Sequence, residues 1–245
     1  MTIPRIFLSP NDICNSEVII REKEDVHHIS HVLRMRRNDK VVVLDNQGFE
    51  YEVILREFKK DEIRGFIEGQ VFHPQPQIEI ALVQGLLKVN KMDMVIKYST
   101  ELGVSRIIVV NTALSCVTGC SEARQKRWRR IIKEGSCLSG RVRLSDIFYI
   151  SDLSHVLLDL KNDDLGLILY EQENTRNLRD VLNPYKACKK IFVFVGPEGG
   201  FTQSEVSMLH EKGVLSVSLG KRILSSEVAS ISALTIILYQ LNLLG

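Results

Sequence analysis

The chain has 245 residues, 44% of them apolar and 25% charged, with a formal net charge of +2 at neutral pH. That length suits two domains rather than one compact core. The composition excludes a disordered or fibrous chain, and the near-neutral charge excludes a polycation, so an anionic partner must meet basic residues gathered locally.

The segment Met1 to Asn11 carries Arg5 and two prolines without a continuous apolar stretch, so it is not expected to be a signal peptide. A helix is expected near Val26 to Met35. Its end runs into the basic group Arg34, Arg36, Arg37 and Lys40. Val41 to Leu44 is a β-branched strand run, Asn46-Gln47-Gly48 a turn, and Tyr51 to Phe58 includes alternation, with Tyr51, Val53 and Leu55 on one face. The polar turn Lys59 to Glu62 leads into a further strand, Ile63 to Phe72. Short strands joined by tight turns predict a small barrel or meander. Two prolines within His73 to Gln77 make a stiff, extended joint, which divides the chain into domains 1–73 and 74–245.

Beyond the joint, strands and helices alternate. Ile78 to Val83 reads as a buried strand. Met92, Val95, Ile96 and Leu102 recur at helical spacing, and Gly103 is placed to end that helix. Arg106 to Val110 is a strand. Ser121 can cap a helix running to about Leu138, whose basic residues Arg124, Lys126, Arg127, Arg129, Arg130 and Lys133 have no acid among them. A run of this kind is either a solvated face or an anion-binding one. Leu165 to Tyr170, Ile191 to Val195 and Val214 to Leu219 are further strands. Thr202-Gln203-Ser204-Glu205 is a capping box, and Ser226 can cap the last helix. Ile231 to Leu244 is apolar but short of the ~20 residues of a membrane span, so a buried terminal helix is expected. The alternation predicts an α/β fold with a mostly parallel sheet covered on both faces.

Gly196-Pro197-Glu198-Gly199-Gly200-Phe201 follows a buried strand and precedes a capped helix. Ligands of such sheets bind beyond the carboxyl ends of the strands, where glycine permits positive φ and close backbone approach. Alone, the cluster reads first as a tight strand-to-helix turn. A second loop, Leu219-Gly220-Lys221-Arg222-Ile223-Leu224, repeats strand, glycine, then helix, and two such loops can wall one pocket. The P-loop, G-x-G-x-x-G and G-x-S-x-G patterns are absent. No H-E-x-x-H accompanies His27, His28 and His31. These read as helix-surface histidines, and no metal is expected. The five cysteines, Cys14, Cys116, Cys120, Cys137 and Cys188, are odd in number and lack a C-x-x-C pair. That pattern points to reduced thiols in a cytoplasmic protein.

The two loops, with Thr202, Glu205, Glu227 and Ala229, resemble the bacterial 16S rRNA (uracil-N3)-methyltransferase family of the SPOUT superfamily. Further agreement comes from Arg5-Ile6-Phe7, His31-Val32-Leu33-Arg34, Lys97, Thr100 to Val104, Arg127-Trp128, Ile131, Glu134 and Gly140-Arg141. The resemblance runs in order along nearly the whole chain. It implies a PUA-like β-barrel that positions RNA, then a SPOUT methyltransferase domain with a C-terminal trefoil knot at about 190–245. It also implies a homodimer and S-adenosylmethionine as cofactor. The implied cofactor-binding residues are Leu169, Tyr170, Glu171, Val195, Gly196, Glu198, Gly199, Gly200, Leu219, Gly220, Ile223 and Leu224.

The implied reaction is methylation of uridine N3 in small-subunit 16S rRNA. Arg222 is the candidate for stabilising the developing negative oxygen. Glu198 and Glu227 are candidates for proton removal or cofactor orientation, and capping is an equal alternative for each. Phosphate contacts are expected from Arg5, Arg34, Arg36, Lys88, Lys91, Lys97, Arg127 and Arg141. The family usually has Arg at Leu114, Gln at Leu138, Arg at Ser225 and Thr at Val228; these departures bear on rate or on the target base. Three other readings stand beside this one: a SPOUT methyltransferase for another RNA or base, a non-catalytic ribosome-binding relative, and an unrelated nucleotide-binding α/β enzyme. Cofactor preference separates the last, and turnover separates enzyme from binder.

Overall fold

The structure, a computed structural model, describes residues 3–182 and 188–244. Residues 1, 2 and 245, where the expected domains begin and end, lie outside them. The chain forms two compact units. One holds residues up to Gln75 together with Ser136–Leu144, and the other holds Pro76–Gly135 and Ser145 onward. The expected division at 73/74 did not include the return segment Ser136–Leu144.

In the first unit, strands β1 (Arg5–Phe7), β2 (Ile13–Cys14), β3 (Glu17–Ile20), β4 (Lys40–Leu44), β5 (Phe49–Phe58) and β6 (Ile63–Phe72) form one sheet. Their order is β1-β4-β5-β6-β3-β2. Only the β1–β4 pair is parallel. Period-two alternation sends Ile6, Val41, Val43, Val53, Leu55, Val18 and Ile20 to one core, which Val26 and Ile29 close. Ile13, near the opposite edge, packs on the same core as Ile6, as a sheet coiled toward a barrel requires. The other face of β4 is also buried, because Phe7, Val42 and Leu44 pack on Cys137, Val142 and Leu144. The turn after β4 is built on Asp45, whose Oδ1 accepts from the backbone N–H groups of Gln47, Gly48 and Phe49 at 2.7, 3.0 and 3.0 Å. Arg143 donates to the carbonyls of Gln47 and His73 at 2.6 and 2.8 Å, fastening the return segment to that turn.

One expected element differs. The helix foreseen at Val26 to Met35 begins earlier, as α1 (Lys23–His27), and continues as a π-helical turn over His28–Val32. The Leu33 N–H reaches the His28 carbonyl, five residues back. Arg34 then takes φ +53°, which no helix interior allows. The wide turn keeps Ile29 fully buried while Arg34 and Arg36 stay in water.

The second unit alternates as expected. Its elements are β7 (Glu79–Gly85), α2 (Val89–Glu101), β8 (Arg106–Val110), α3 (Glu122–Ser139), β9 (Asp146–Ile150), α4 (Leu153–Val156), β10 (Leu165–Leu169), α5 (Leu178–Leu182), β11 (Lys190–Val195), α6 (Gln203–Glu211), β12 (Leu215–Val217) and α7 (Ser226–Gln240). The last residues of α3 belong to the first unit. All strand pairs are parallel, in the order β12-β10-β11-β7-β8-β9. Ala81, Val83, Ile108, Val110, Phe192 and Phe194 pack with residues of α4 and α6. Residues of opposite parity, such as Leu82, Val109 and Val193, are buried as well. Both faces are therefore covered, and the strands read as continuous apolar runs for that reason.

Ser121 accepts from the Arg124 N–H at 3.3 Å, as a cap should. Ser226 does not cap α7: the N-cap position is Ser225, and Ser226 is the first helical residue.

Candidate active site

Three strands, β10, β11 and β12, end side by side, and their following loops enclose a cavity of about 530 Å³. Its wall consists of residues 169–174, 195–200 and 217–226 with Lys91 and Ala229, apart from Gln172. All twelve cofactor-binding candidates lie on it.

The glycines act where backbone approaches backbone. A Cβ on Gly196 would lie 2.9 Å from the Cα and C of Gly200. Gly200 has φ +74° and Gly220 φ +117°, a region that L side chains rarely adopt. The Gly200 N–H bonds the Pro197 carbonyl at 3.0 Å, closing a turn. Phe201 sinks into the core behind it. The capping box then starts α6: the Glu205 carboxylate accepts from the Thr202 N–H at 2.8 Å, and the Thr202 hydroxyl accepts from the Glu205 N–H at 3.3 Å. Glu205 also accepts from the Ala113 N–H at 2.8 Å, which ties the loop after β8 to the same helix end. Leu114 in that loop lies beside Gly199, where an added Cβ would stand 3.0 Å from the Leu114 Cβ.

A buried amide locks this corner. Gln84, at the end of β7 and fully buried, places Nε2 3.0 Å from the Ser226 hydroxyl, 3.1 Å from the Gly85 carbonyl and 3.3 Å from the Gly196 carbonyl. The Ser230 hydroxyl donates to Gln84 Oε1, and that of Ser226 donates to the Gly196 carbonyl. One strand end thus holds the first glycine loop against the first turns of α7. Sequence reasoning missed Gln84, Ser226 in this role, and Ser230; the one available signal was a glutamine closing an otherwise apolar strand.

Of the three catalytic candidates, Arg222 is exposed on the cavity wall. Glu198 lies on the wall and Glu227 in the first turn of α7. Both meet one cation: Lys91 Nζ lies 3.6 Å from Glu198 and 3.2 Å from Glu227. Burial is the largest single influence on Glu227 and pushes its carboxyl up. Its own N–H, the Lys91 ammonium and the Ser225 hydroxyl together outweigh that and leave it below its ordinary value. Glu227 in turn raises the Lys91 ammonium, which burial lowers and Glu198 raises further.

The eight phosphate-contact candidates separate into groups. Arg34, Arg36 and Lys88 are exposed, with no ion pair among the described residues. Arg5 is paired with Glu50 at 3.1 Å, Arg127 with Asp93 at 2.8 Å and Lys97 with Glu101 at 4.0 Å. Burial pushes Arg141 down to about 10. Lys91 belongs to the cavity wall. Much of the α3 basic run is paired too, Lys126 with Glu122 at 2.9 Å and Arg130 with Glu134 at 3.5 Å. His27, His28 and His31 are exposed, and the rings of His27 and His31 stack at 4.9 Å.

Comparison with known proteins bears on the family and the fold. A family profile described as an RNA methyltransferase domain matches residues 73–238, and one described as an RNA methyltransferase PUA domain matches residues 20–68. Ribosomal RNA small subunit methyltransferase E of Bacillus subtilis is 29% identical over 229 residues, covering 90% of each chain. The crystal structure of the protein of that name from Neisseria gonorrhoeae, bound to S-adenosyl methionine, superposes with a TM-score of 0.87 at 26% identity over 97% of this chain and 98% of that one. A putative methyltransferase of Legionella pneumophila, in complex with the same cofactor, gives 0.87 at 25% identity over 98% of each chain. With a PUA-like unit ahead of a parallel-sheet unit whose profile match spans most of its length, the chain belongs to the RNA methyltransferase family.

Proposed function

We propose that this protein transfers the methyl group of S-adenosylmethionine to N3 of a specific uridine in 16S rRNA of the small ribosomal subunit. The observation that carries the reading is the cavity between the two glycine loops, in a chain of this family. The residues fit the cofactor. The volume is that of a pocket for a drug-sized ligand, the glycines leave backbone open to approach, and Glu171, Glu173 and Glu198 on the wall complement a cation.

Twelve wall residues are assigned to the cofactor: Leu169, Tyr170, Glu171, Val195, Gly196, Glu198, Gly199, Gly200, Leu219, Gly220, Ile223 and Leu224. When bound, the sulfonium supplies an electrophilic methyl group. The chain supplies alignment through the loops that Gln84 fixes. Arg222 stands on the wall to stabilise charge developing on a uracil oxygen. Glu198 and Glu227 are the groups available to accept the N3 proton or to orient the cofactor.

Arg34, Arg36 and Lys88 are the exposed cations best suited to phosphates, with Arg5, Lys97 and Arg127 contributing where their pairs open and Arg141 as a further contact. The first unit, residues 1–75 with the return segment, positions the RNA. The chain over about 190–245 forms the trefoil knot of the superfamily. The protein works as a homodimer in the cytoplasm. Exposed Val228, Ile236 and Tyr239 on α7 supply apolar surface for that contact. Among the described residues no helix is long and apolar enough to cross a membrane.

The test is incubation of isolated small subunits with labelled S-adenosylmethionine, followed by nucleoside mass spectrometry. Label in 3-methyluridine is expected; label in another nucleoside, or none, overturns the assignment.

A further inference from the structure

Lys91 was expected to meet RNA phosphate, yet its ammonium lies between two carboxylates at the edge of the cavity. The three groups come from three separate elements: Lys91 from the first turn of α2, Glu198 from the loop after β11, and Glu227 from the first turn of α7. Lys91 is only partly exposed, and Glu198 and Glu227 retain 24% and 15% of their side-chain exposure, so water screens the cluster incompletely. The other charged wall residues are Glu171 and Glu173 on the loop after β10, and Lys221 and Arg222 on the loop after β12. Among the described residues, Lys91 is the only cation in an ion pair with Glu198 or Glu227.

We propose that Lys91 is a positioning residue of the methyl-transfer site, clamping Glu198 of the glycine loop to Glu227 of α7, rather than a phosphate contact. The inference rests on the methyltransferase reading of the same cavity. One ammonium against two carboxylates leaves the cluster with a net single negative charge, which suits a singly cationic donor. Without the ammonium, two partly buried carboxylates would share no counter-charge, and protonation of one becomes easier. A protonated carboxyl neither accepts a proton from uracil N3 nor attracts a sulfonium. The neutral variant Lys91→Met therefore impairs the chemical step, and Lys91→Arg, which keeps a cation within reach, restores most of it.

Two measurements test this, and they fail separately. In full-length protein labelled with 13C at the glutamate carboxyls, Glu227→Gln identifies the Glu227 resonance by its loss. In wild-type protein Glu227 titrates below its ordinary value. In Lys91→Met the midpoint moves upward, and in Lys91→Arg it returns. A Glu227 titration that stays in place in Lys91→Met overturns the clamp, whatever the protein's activity.

The second measurement is methyl transfer to small-subunit RNA. Lys91→Met is expected to lower kcat by roughly tenfold or more, less than the ~100-fold or more that an acid–base group itself contributes. The acid limb of its pH profile should move upward, with KM for RNA little changed. A raised KM for RNA with a salt dependence reduced by about one phosphate contact, and an unmoved acid limb, would return Lys91 to phosphate binding. Absence of transfer by the wild-type protein would sink the functional reading while leaving the titration result intact.

Discussion

Replacing Gly196 by alanine tests the loop geometry in the most direct way. The new methyl carbon would stand 2.9 Å from the Cα and C of Gly200 and 3.2 Å from its carbonyl oxygen. Relaxed carbon–carbon contacts lie at about 3.5–4.0 Å, so the two backbone strands of the loop must part by about 0.6–1 Å. Neither can move freely: the Gly196 carbonyl is held by Ser226 and Gln84, and the Gly200 N–H by Pro197. Overpacking of this kind costs about 1–3 kcal/mol of stability. Because the displaced backbone is the cavity wall, affinity for S-adenosylmethionine should fall by ~10–100-fold, equivalent to ~1.4–2.8 kcal/mol. Urea unfolding and isothermal calorimetry measure the two effects. Gly69→Ala serves as the control, since nothing lies within 4 Å of its added Cβ; it should leave cofactor affinity unchanged. Wild-type affinity in Gly196→Ala would refute the close-approach argument.

The buried amide and the loop after β10 give two further expectations. Gln84→Met keeps the volume but strips the Val195 and Gly196 carbonyls of a donor, and should cost about 1–3 kcal/mol in urea unfolding; a loss below ~0.5 kcal/mol would mean that the amide does not hold the corner. Glu173 is held down to about 2 by the Thr175 hydroxyl and the N–H groups of Thr175 and Arg176. A depressed carboxylate contributes stability that is present above the unfolded value of about 4.5 and is lost as pH falls through about 2. The stability gap between wild type and Glu173→Gln should therefore be full at pH 5 and above and shrink as pH falls toward 2; a gap independent of pH over that window would contradict the assignment.

Each glycine loop alone reads as a tight turn; together they were legible as a site because both follow buried strands and so can wall one pocket, and the capping box placed the start of α6. The alternation of apolar runs likewise gave the parallel sheet. Gln84 was not legible, since a single polar residue at a strand end looks like the end of burial. Its role depends on Gly196 and Ser226, more than a hundred positions away. The same distance problem hid the partners of the basic residues. Arg5 and Arg127 appear unpaired along the chain, but folding brings Glu50 and Asp93 to them. Lys91 sat in a plausible basic series and folded instead onto Glu198 and Glu227. The return segment Ser136–Leu144 escaped because helical periodicity extends α3 without saying which core its last turn joins. The π-helical turn was hidden because a wide turn conserves the apolar spacing of Val26 and Ile29 while shifting Leu33 and Arg34 out of helical register.

One cavity is proposed to hold the methyl donor between two neighbouring loops. A crystal structure of this protein with S-adenosylmethionine tests it most directly. The ligand is expected between Gly196–Gly200 and Leu219–Leu224, with a carboxylate of Glu171, Glu173 or Glu198 facing its positive charge. Electron density for the ligand at any other place on the chain, with that cavity empty, would contradict it.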